Sequence, residues 1–266
     1  MAELSGTLDR PGCALRFSAS QGRDPAVVFL HGAGADHVMC EEQAAAITAT
    51  GQRAVLVDLR GHGASRPNQQ ELSAALLVED VEALMANLRL ERPVLAGHSL
   101  GGNLAQNLVR RSPEAYAGLI VMDSTWNTGP LNALERFALR LAAPGLALIP
   151  ARSLPSVMAN ASAVSAAARA DAERAFSQLS KIEFLDVWRA TVSFVNPDPD
   201  YRTPVPLLLV RGAADKTGNI ATAMAAWAKA EGVPEHVIPD AGHIVTQDAS
   251  AATTAVLLEF LALDNS

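Results

Sequence analysis

At 266 residues the chain is long enough to bury a substantial core, as one large α/β domain or two small ones. Its net charge of −7 comes with no basic stripe or Lys/Arg-rich run, which argues against nucleic acid and anionic membrane as partners. The opening Met1-Ala2-Glu3-Leu4-Ser5 has no apolar core and Cys13 and Cys40 show neither disulfide-framework nor metal-ligand spacing, so the expectation is an unexported, cytoplasmic protein with reduced thiols.

An antiparallel pair is predicted at about residues 5–19. After it, short apolar runs alternate with longer helix-like stretches, the pattern of a mostly parallel sheet covered by helices on both faces. The expected strands are Pro25 to Leu30, Arg53 to Leu59, Pro93 to Ala96, Gly118 to Met122, Val205 to Val210 and Glu235 to Ile238. The expected helices lie near 38–50, 72–90, 99–111, 219–231 and 249–263, the second with Leu72, Leu76, Val81, Leu84 and Leu88 on one face. Residues 125–203 break this rhythm: they are rich in alanine and leucine, contain no convincing strand and are punctuated by six prolines from Pro130 to Pro199. The reading is a core domain of residues 1–124 and 204–266, carrying a helical cap of residues 125–203 over the C-terminal edge of the sheet, where open α/β sheets bind ligands.

The chemistry concentrates at Gly97-His98-Ser99-Leu100-Gly101, after an apolar strand and before a helix with Leu100, Leu104 and Leu108 at i+4 spacing. A strand that turns sharply into a helix at a serine strains that residue, and the flanking glycines keep side chains out of the turn. The hydroxyl is then presented at a helix N-terminus, as a nucleophile elbow. A serine hydroxyl needs a base within hydrogen-bond reach and a third group to orient that base. Among six histidines, His31, His37 and His62 precede Ser99, His98 adjoins it, and His236 lies inside a strand-like run as a core or edge residue. His243, in the loop after the last strand, fits the chain order of the motif. Two carboxylates can orient it: Asp215, after Leu207–Val210 and a small-residue turn, and Asp123, at the end of the preceding strand. The turn residues favour Asp215.

Charge developing on a carbonyl oxygen calls for backbone N–H donors beside Ser99. Leu100 supplies one at the start of the helix, and the loop His31-Gly32-Ala33-Gly34 supplies a second from Ala33, with Gly34 as the alternative. That loop lacks both the spacing of a dinucleotide fingerprint and a P-loop lysine, and no cofactor or metal is called for. The run from Asp58 to Ser65 reads as a self-hydrogen-bonded structural turn. Trp126, Phe137, Phe184, Trp188 and Phe194 of the cap, with Met39, Cys40, Ile244 and Val245 beside the loops, are candidates to line an apolar pocket. Trp126, Met39, Trp188 and Val245 lead. The cap also carries Arg136, Arg140, Arg152, Arg169, Arg174 and Arg189, any of which turned inward would favour an anionic substrate.

Taken in order, His31-Gly32, the Asp58-x-Arg60-Gly61-His62-Gly63-x-Ser65 run, Gly97-His98-Ser99-x-Gly101-Gly102, Asp215 and Ala241-Gly242-His243 resemble the α/β-hydrolase superfamily. The chain looks most like its compact bacterial esterase, lactonase and cofactor-free haloperoxidase branch with a helical cap. The resemblance implies a triad of Ser99, His243 and Asp215 and an oxyanion hole from Ala33 and Leu100. It argues against epoxide hydrolases and haloalkane dehalogenases, which carry aspartate where this chain has Ser99. The resulting expectation is a serine hydrolase of small apolar esters or lactones. A perhydrolase or C–C bond hydrolase with the same triad is the alternative, and a triad-retaining ligand receptor a more distant one.

Overall fold

A computed structural model describes residues 3–263, leaving Met1 and Ala2 of the opening segment outside the described residues. Eight strands form one sheet: β1 (Gly6–Arg10), β2 (Cys13–Ala19), β3 (Arg23–Leu30), β4 (Gln52–Val57), β5 (Val94–His98), β6 (Gly118–Met122), β7 (Leu207–Gly212) and β8 (Glu235–Ile238). Their spatial order is β1-β2-β4-β3-β5-β6-β7-β8, with β1 and β2 antiparallel to their neighbours and the rest parallel. Strands β5 and β6 are buried at every position, which explains why Val94–His98 and Gly118–Met122 read as continuous apolar runs without alternation. The chain leaves β3 in one direction to reach β4 and then crosses over to place β5 on the other side of β3. This reversal opens a crevice at the C-terminal ends of those strands.

Helices α1 (Glu41–Ala49), α2 (Ala74–Asn87), α3 (Leu100–Arg111), α8 (Ile220–Glu231), the short α9 (Val245–Asp248) and α10 (Ser250–Leu263) accompany the sheet. Between β6 and β7 come α4 (Ala133–Ala147), α5 (Leu154–Ser162), α6 (Ala166–Phe176) and α7 (Lys181–Ser193), with no strand among them. Serine or asparagine N-caps start α4, α6 and α7, and capping boxes close the first turns of α4 and α7. This insertion reaches the rest of the molecule through α7 against α2 and α3, and α6 against α9. No described helix is long and apolar enough to cross a membrane.

The buried face of α2 differs from the sequence reading. The inward face of α2 is Leu77, Val78, Asp80, Val81 and Leu84, so the expected stripe is rotated, and Leu76 is only half-buried. The rotation serves an ion pair invisible to hydrophobic periodicity: Asp80 takes Nε and Nη2 of the fully buried Arg60 at 2.6 and 2.8 Å, and Nε of Arg10 at 2.9 Å. That contact also gives the Asp58–Ser65 turn its structural role. In the same turn, Asp58 accepts from the amides of His37 and Ala64, and Ser65 donates to the Asp58 carbonyl. Cys13 and Cys40 are buried free thiols, and burial pushes Cys40 up to about 12.

Candidate active site

Ser99 leaves β5 and opens α3 in the left-handed region, at φ 50° and ψ −115°. A non-glycine residue there is strained. The glycines explain how the turn closes: a Cβ on Gly97 would overlap the Gly101 carbonyl, and one on Gly101 would overlap the Leu30 carbonyl at the end of β3. The same crowding draws the following loop inward. A Cβ on Gly32 would stand 3.4 Å from the Ser99 Cβ, so Ala33 borders the cavity in front of the serine. Leu100 is the first residue of α3, where amides have no intrahelical acceptor. The described hydrogen bonds give neither the Leu100 nor the Ala33 amide an acceptor.

His243, in the loop between β8 and α9, lines the same cavity as Ser99. Its Nδ1 lies 3.0 Å from Asp215 Oδ2, while Asp215 Oδ1 accepts from the Thr217 amide at 2.8 Å. Burial opposes ionisation of Asp215, but the His243 and Thr217 contacts outweigh it and hold the carboxyl down at about 2. Asp123, the competing carboxylate, sits one step deeper: it is fully buried, has φ 42°, and accepts from the Gly212 amide at 2.9 Å. One ligand atom each of Asp123, Asp215 and His243 fall within 4.8 Å of one another, a set that could hold a metal ion and that linear spacing did not reveal. His243 Nδ1 is already engaged with Asp215 Oδ2, so a cation ligated through that nitrogen would have to displace this hydrogen bond.

A contribution the sequence reading missed comes from His98, which it noted only as adjoining Ser99. His98 lines the same cavity as Ser99, and its Nε2 meets the His243 carbonyl at 2.5 Å while the two rings stand 4.9 Å apart. Burial, then the neighbouring His243, lowers His98 to about 3; the ring is neutral and donates from Nε2, bracing the backbone of His243. The spacing carries no signal for this bond, which joins residues 145 apart. His236 lies on the edge strand β8 and is half-buried.

Two cavities meet at Ser99. One of about 400 Å³ runs toward α5 and α6, past Met39, Met158, Phe176 and Ile244; the other, of about 450 Å³, runs along α4 and α7 past Leu139, Val192 and Ile220. Ala33, Ser99, Trp188 and Thr217 border both. Met39, Trp188 and Ile244 line these cavities, whereas Trp126 and Val245 do not. Trp126 is buried and stacked on Trp227 with centroids 5.9 Å apart, and Val245 turns fully into the core as α9 begins. Phe184, Phe194 and Cys40 are likewise packing residues, and Phe137 lies on the exposed face of α4.

The arginines of the insertion do not line either cavity in the residues described. Arg174 grips Asp36 through two nitrogens at 2.8 and 2.9 Å and also binds Asp171; Arg169 donates to the Ala163 carbonyl, Arg136 to the Leu131 carbonyl, and Arg189 pairs with Asp186. The side chain of Arg140 lies outside what the structure describes.

A mostly parallel sheet with a strained serine at the end of its fifth strand, sharing a cavity with a histidine bonded to an aspartate, defines a hydrolase-type architecture. Residues 27–256 match the model of the alpha/beta hydrolase family, and the chain belongs to that family. Among curated relatives, it is 37% identical over 100 residues to the sn-1-specific diacylglycerol lipase ABHD11 of Mus musculus, a stretch covering 37% of this chain and 32% of the lipase. It is 33% identical over 101 residues to the AB hydrolase superfamily protein YisY of Bacillus subtilis, covering 38% of each. The chain thus spans about a third of the length of these relatives. Among solved structures, the enol-lactonase of Burkholderia xenovorans LB400 superposes with a TM-score of 0.82 at 21% identity, over 97% of this chain and 100% of that one. A thermophilic esterase of Thermogutta terrifontis superposes with a TM-score of 0.75 at 24% identity, over 98% and 97%. At these identities the structural likeness establishes the fold.

Proposed function

We propose that the protein is a serine hydrolase of carboxylic esters or lactones, with Ser99 as nucleophile, His243 as general base and acid, and Asp215 as orienting acid. The observation that carries this is the strained Ser99 sharing a cavity with His243, whose Nδ1 is bonded to the buried carboxylate of Asp215. With Nδ1–H held by Asp215, the free ring nitrogen is Nε2, which takes the Ser99 proton as Oγ bonds to the carbonyl carbon. The oxyanion then forms beside the amides of Ala33 and Leu100, which offer donors with no competing acceptor. His243 returns the proton to the leaving oxygen as its bond to the acyl carbon breaks. Water repeats the sequence in reverse order, giving its proton to His243 and releasing Ser99.

Residues 125–203 act as the cap, supplying Trp188 and Met158 to the cavity walls. The apolar side chains along both cavities support uncharged substrates with an apolar group on each side of the scissile bond. Labelling with a fluorophosphonate followed by peptide mass analysis tests the assignment. The adduct is expected on Ser99 and absent from Ser99→Ala, whose kcat on p-nitrophenyl esters falls on the order of 10⁴-fold. Retention of more than about a few per cent of the rate by Ser99→Ala is incompatible with triad chemistry.

A further inference from the structure

The fold brings two aspartates to one histidine, and the proposed mechanism uses one. Asp123 ends β6 and Asp215 follows β7, so parallel pairing of these strands sets their carboxyl groups side by side beneath His243. Water does not reach Asp123, whose exposure is 0%. Its Oδ1 accepts one hydrogen bond, from the Gly212 amide at 2.9 Å, and its Oδ2 is buried with no donor in reach. A buried carboxylate oxygen with nothing to accept is costly, and a second negative charge beside it compounds the cost. One proton removes both problems by turning the orphaned acceptor into a donor and the repulsion into a hydrogen bond.

The surroundings decide which aspartate holds that proton. Asp215 receives His243 Nδ1 and the Thr217 amide, two donors that favour its ionised form, whereas Asp123 receives only Gly212. The charged groups around the pair are few: Asp215 and His243 themselves, and Arg211 on β7, whose guanidinium is committed to Glu235 and the Gly212 carbonyl. We propose that Asp123 is protonated in the working protein and donates to the carboxylate of Asp215, acting as a neutral positioning residue that holds Asp215 against His243. The direction of its titration agrees: burial, then the charge of Asp215, raises Asp123 well above the ordinary carboxylate range.

The inference rests on the assignment of Asp215 as the orienting acid. It recasts the two carboxylates as partners with different protonation states. A cation held by the same three residues is the competing arrangement, and it leaves both aspartates ionised.

Infrared difference spectra between wild type and Asp123→Asn, with and without prior dialysis against EDTA, give a direct reading on the resting protein. At neutral pH the wild type is expected to show the C=O stretch of a buried carboxylic acid, lost in Asp123→Asn and indifferent to EDTA. Asparagine tolerates the left-handed backbone at this position and can both donate to Asp215 and accept from Gly212, so folding is preserved. Kinetics supply the second reading. Asp123→Asn keeps kcat/KM within about threefold and leaves the acid limb of its pH profile in place, because one neutral donor replaces another. Asp123→Ala loses about 10- to 100-fold in kcat with little change in KM, since Asp215 is released from its position.

Absence of the infrared band overturns the proposal, as does an acid limb displaced downward by about one pH unit or more in Asp123→Asn, which would reveal a lost negative charge. Wild-type kinetics in a folded Asp123→Ala deny the positioning role. The infrared band does not depend on turnover. A present band with no Ser99 labelling refutes the hydrolase reading alone, and an absent band with normal labelling refutes this one alone.

Discussion

Asp215→Asn is the substitution whose consequence follows most directly from the geometry. The aspartate has two oxygens and serves two donors, His243 Nδ1 at 3.0 Å and the Thr217 amide at 2.8 Å. Asparagine has one acceptor oxygen and one NH2 group, so it must turn its donor toward one of them. The Thr217 amide cannot give up its proton, so the amide oxygen stays there and the NH2 faces His243. The imidazole then accepts at Nδ1 and carries its proton on Nε2, the nitrogen that must be free to receive the Ser99 proton. The wrong tautomer and the lost counter-charge together are expected to lower kcat by about 10⁴-fold, or roughly 5 kcal/mol of transition-state stabilisation. KM is expected to change little, because Asp215 itself borders neither cavity. The assay is steady-state hydrolysis of a p-nitrophenyl ester across pH, alongside Asp123→Asn under the same conditions. Near-normal Asp215→Asn with a crippled Asp123→Asn would refute the reasoning and assign the orienting role to the other strand end.

Two further predictions separate packing from recognition. Trp126→Ala empties a buried site against Trp227 and is expected to cost about 3–5 kcal/mol in urea denaturation with KM unchanged. Trp188→Ala, at the junction of the two cavities, should instead raise KM about fivefold, equivalent to about 1 kcal/mol or about 40 Å² of lost apolar contact. Arg174→Ala breaks the insertion's grip on Asp36. With Arg174 39% exposed and Asp36 only 4%, the loss at neutral pH is expected at about 1–3 kcal/mol, less than for a fully buried pair. Burial raises the Asp36 carboxyl, but Arg174 outweighs it and the folded state holds it below the usual range. Its stabilisation is therefore present above the unfolded value of about 3.9 and disappears as pH falls through the lower folded value. The stability gap between wild type and Arg174→Ala, measured by urea titration, should narrow below about pH 4. A gap that stays constant or widens there would contradict the ion-pair account.

Much of the fold was legible in the chain because its determinants are local. Glycines at 97 and 101 and the apolar run before Ser99 mark the turn in the sequence itself, and Gly118–Met122 and Glu235–Ile238 fall as strands where the sequence reading put them. The alternation of strand and helix implied parallel pairing, and its interruption over residues 125–203 marked where the helices α4 to α7 enter. What the sequence left open depends on which way side chains turn after the chain has packed. Trp126 and Val245 sit beside the right loops, yet the indole stacks on Trp227 and the valine, at the start of α9, turns into the core, where burial rewards their apolar surface. The sequence favoured Asp215 over Asp123 only through its turn residues, because both end adjacent strands; the packed structure separates them by partners, with Asp215 meeting His243 and the Thr217 amide and Asp123 left with a single amide. The bond from His98 to the His243 carbonyl likewise exists only once β5 and the loop after β8 are brought together. Local pattern specifies backbone turns, but long-range hydrogen-bond partners are set by strand order and depth, which the linear spacing of these residues does not encode.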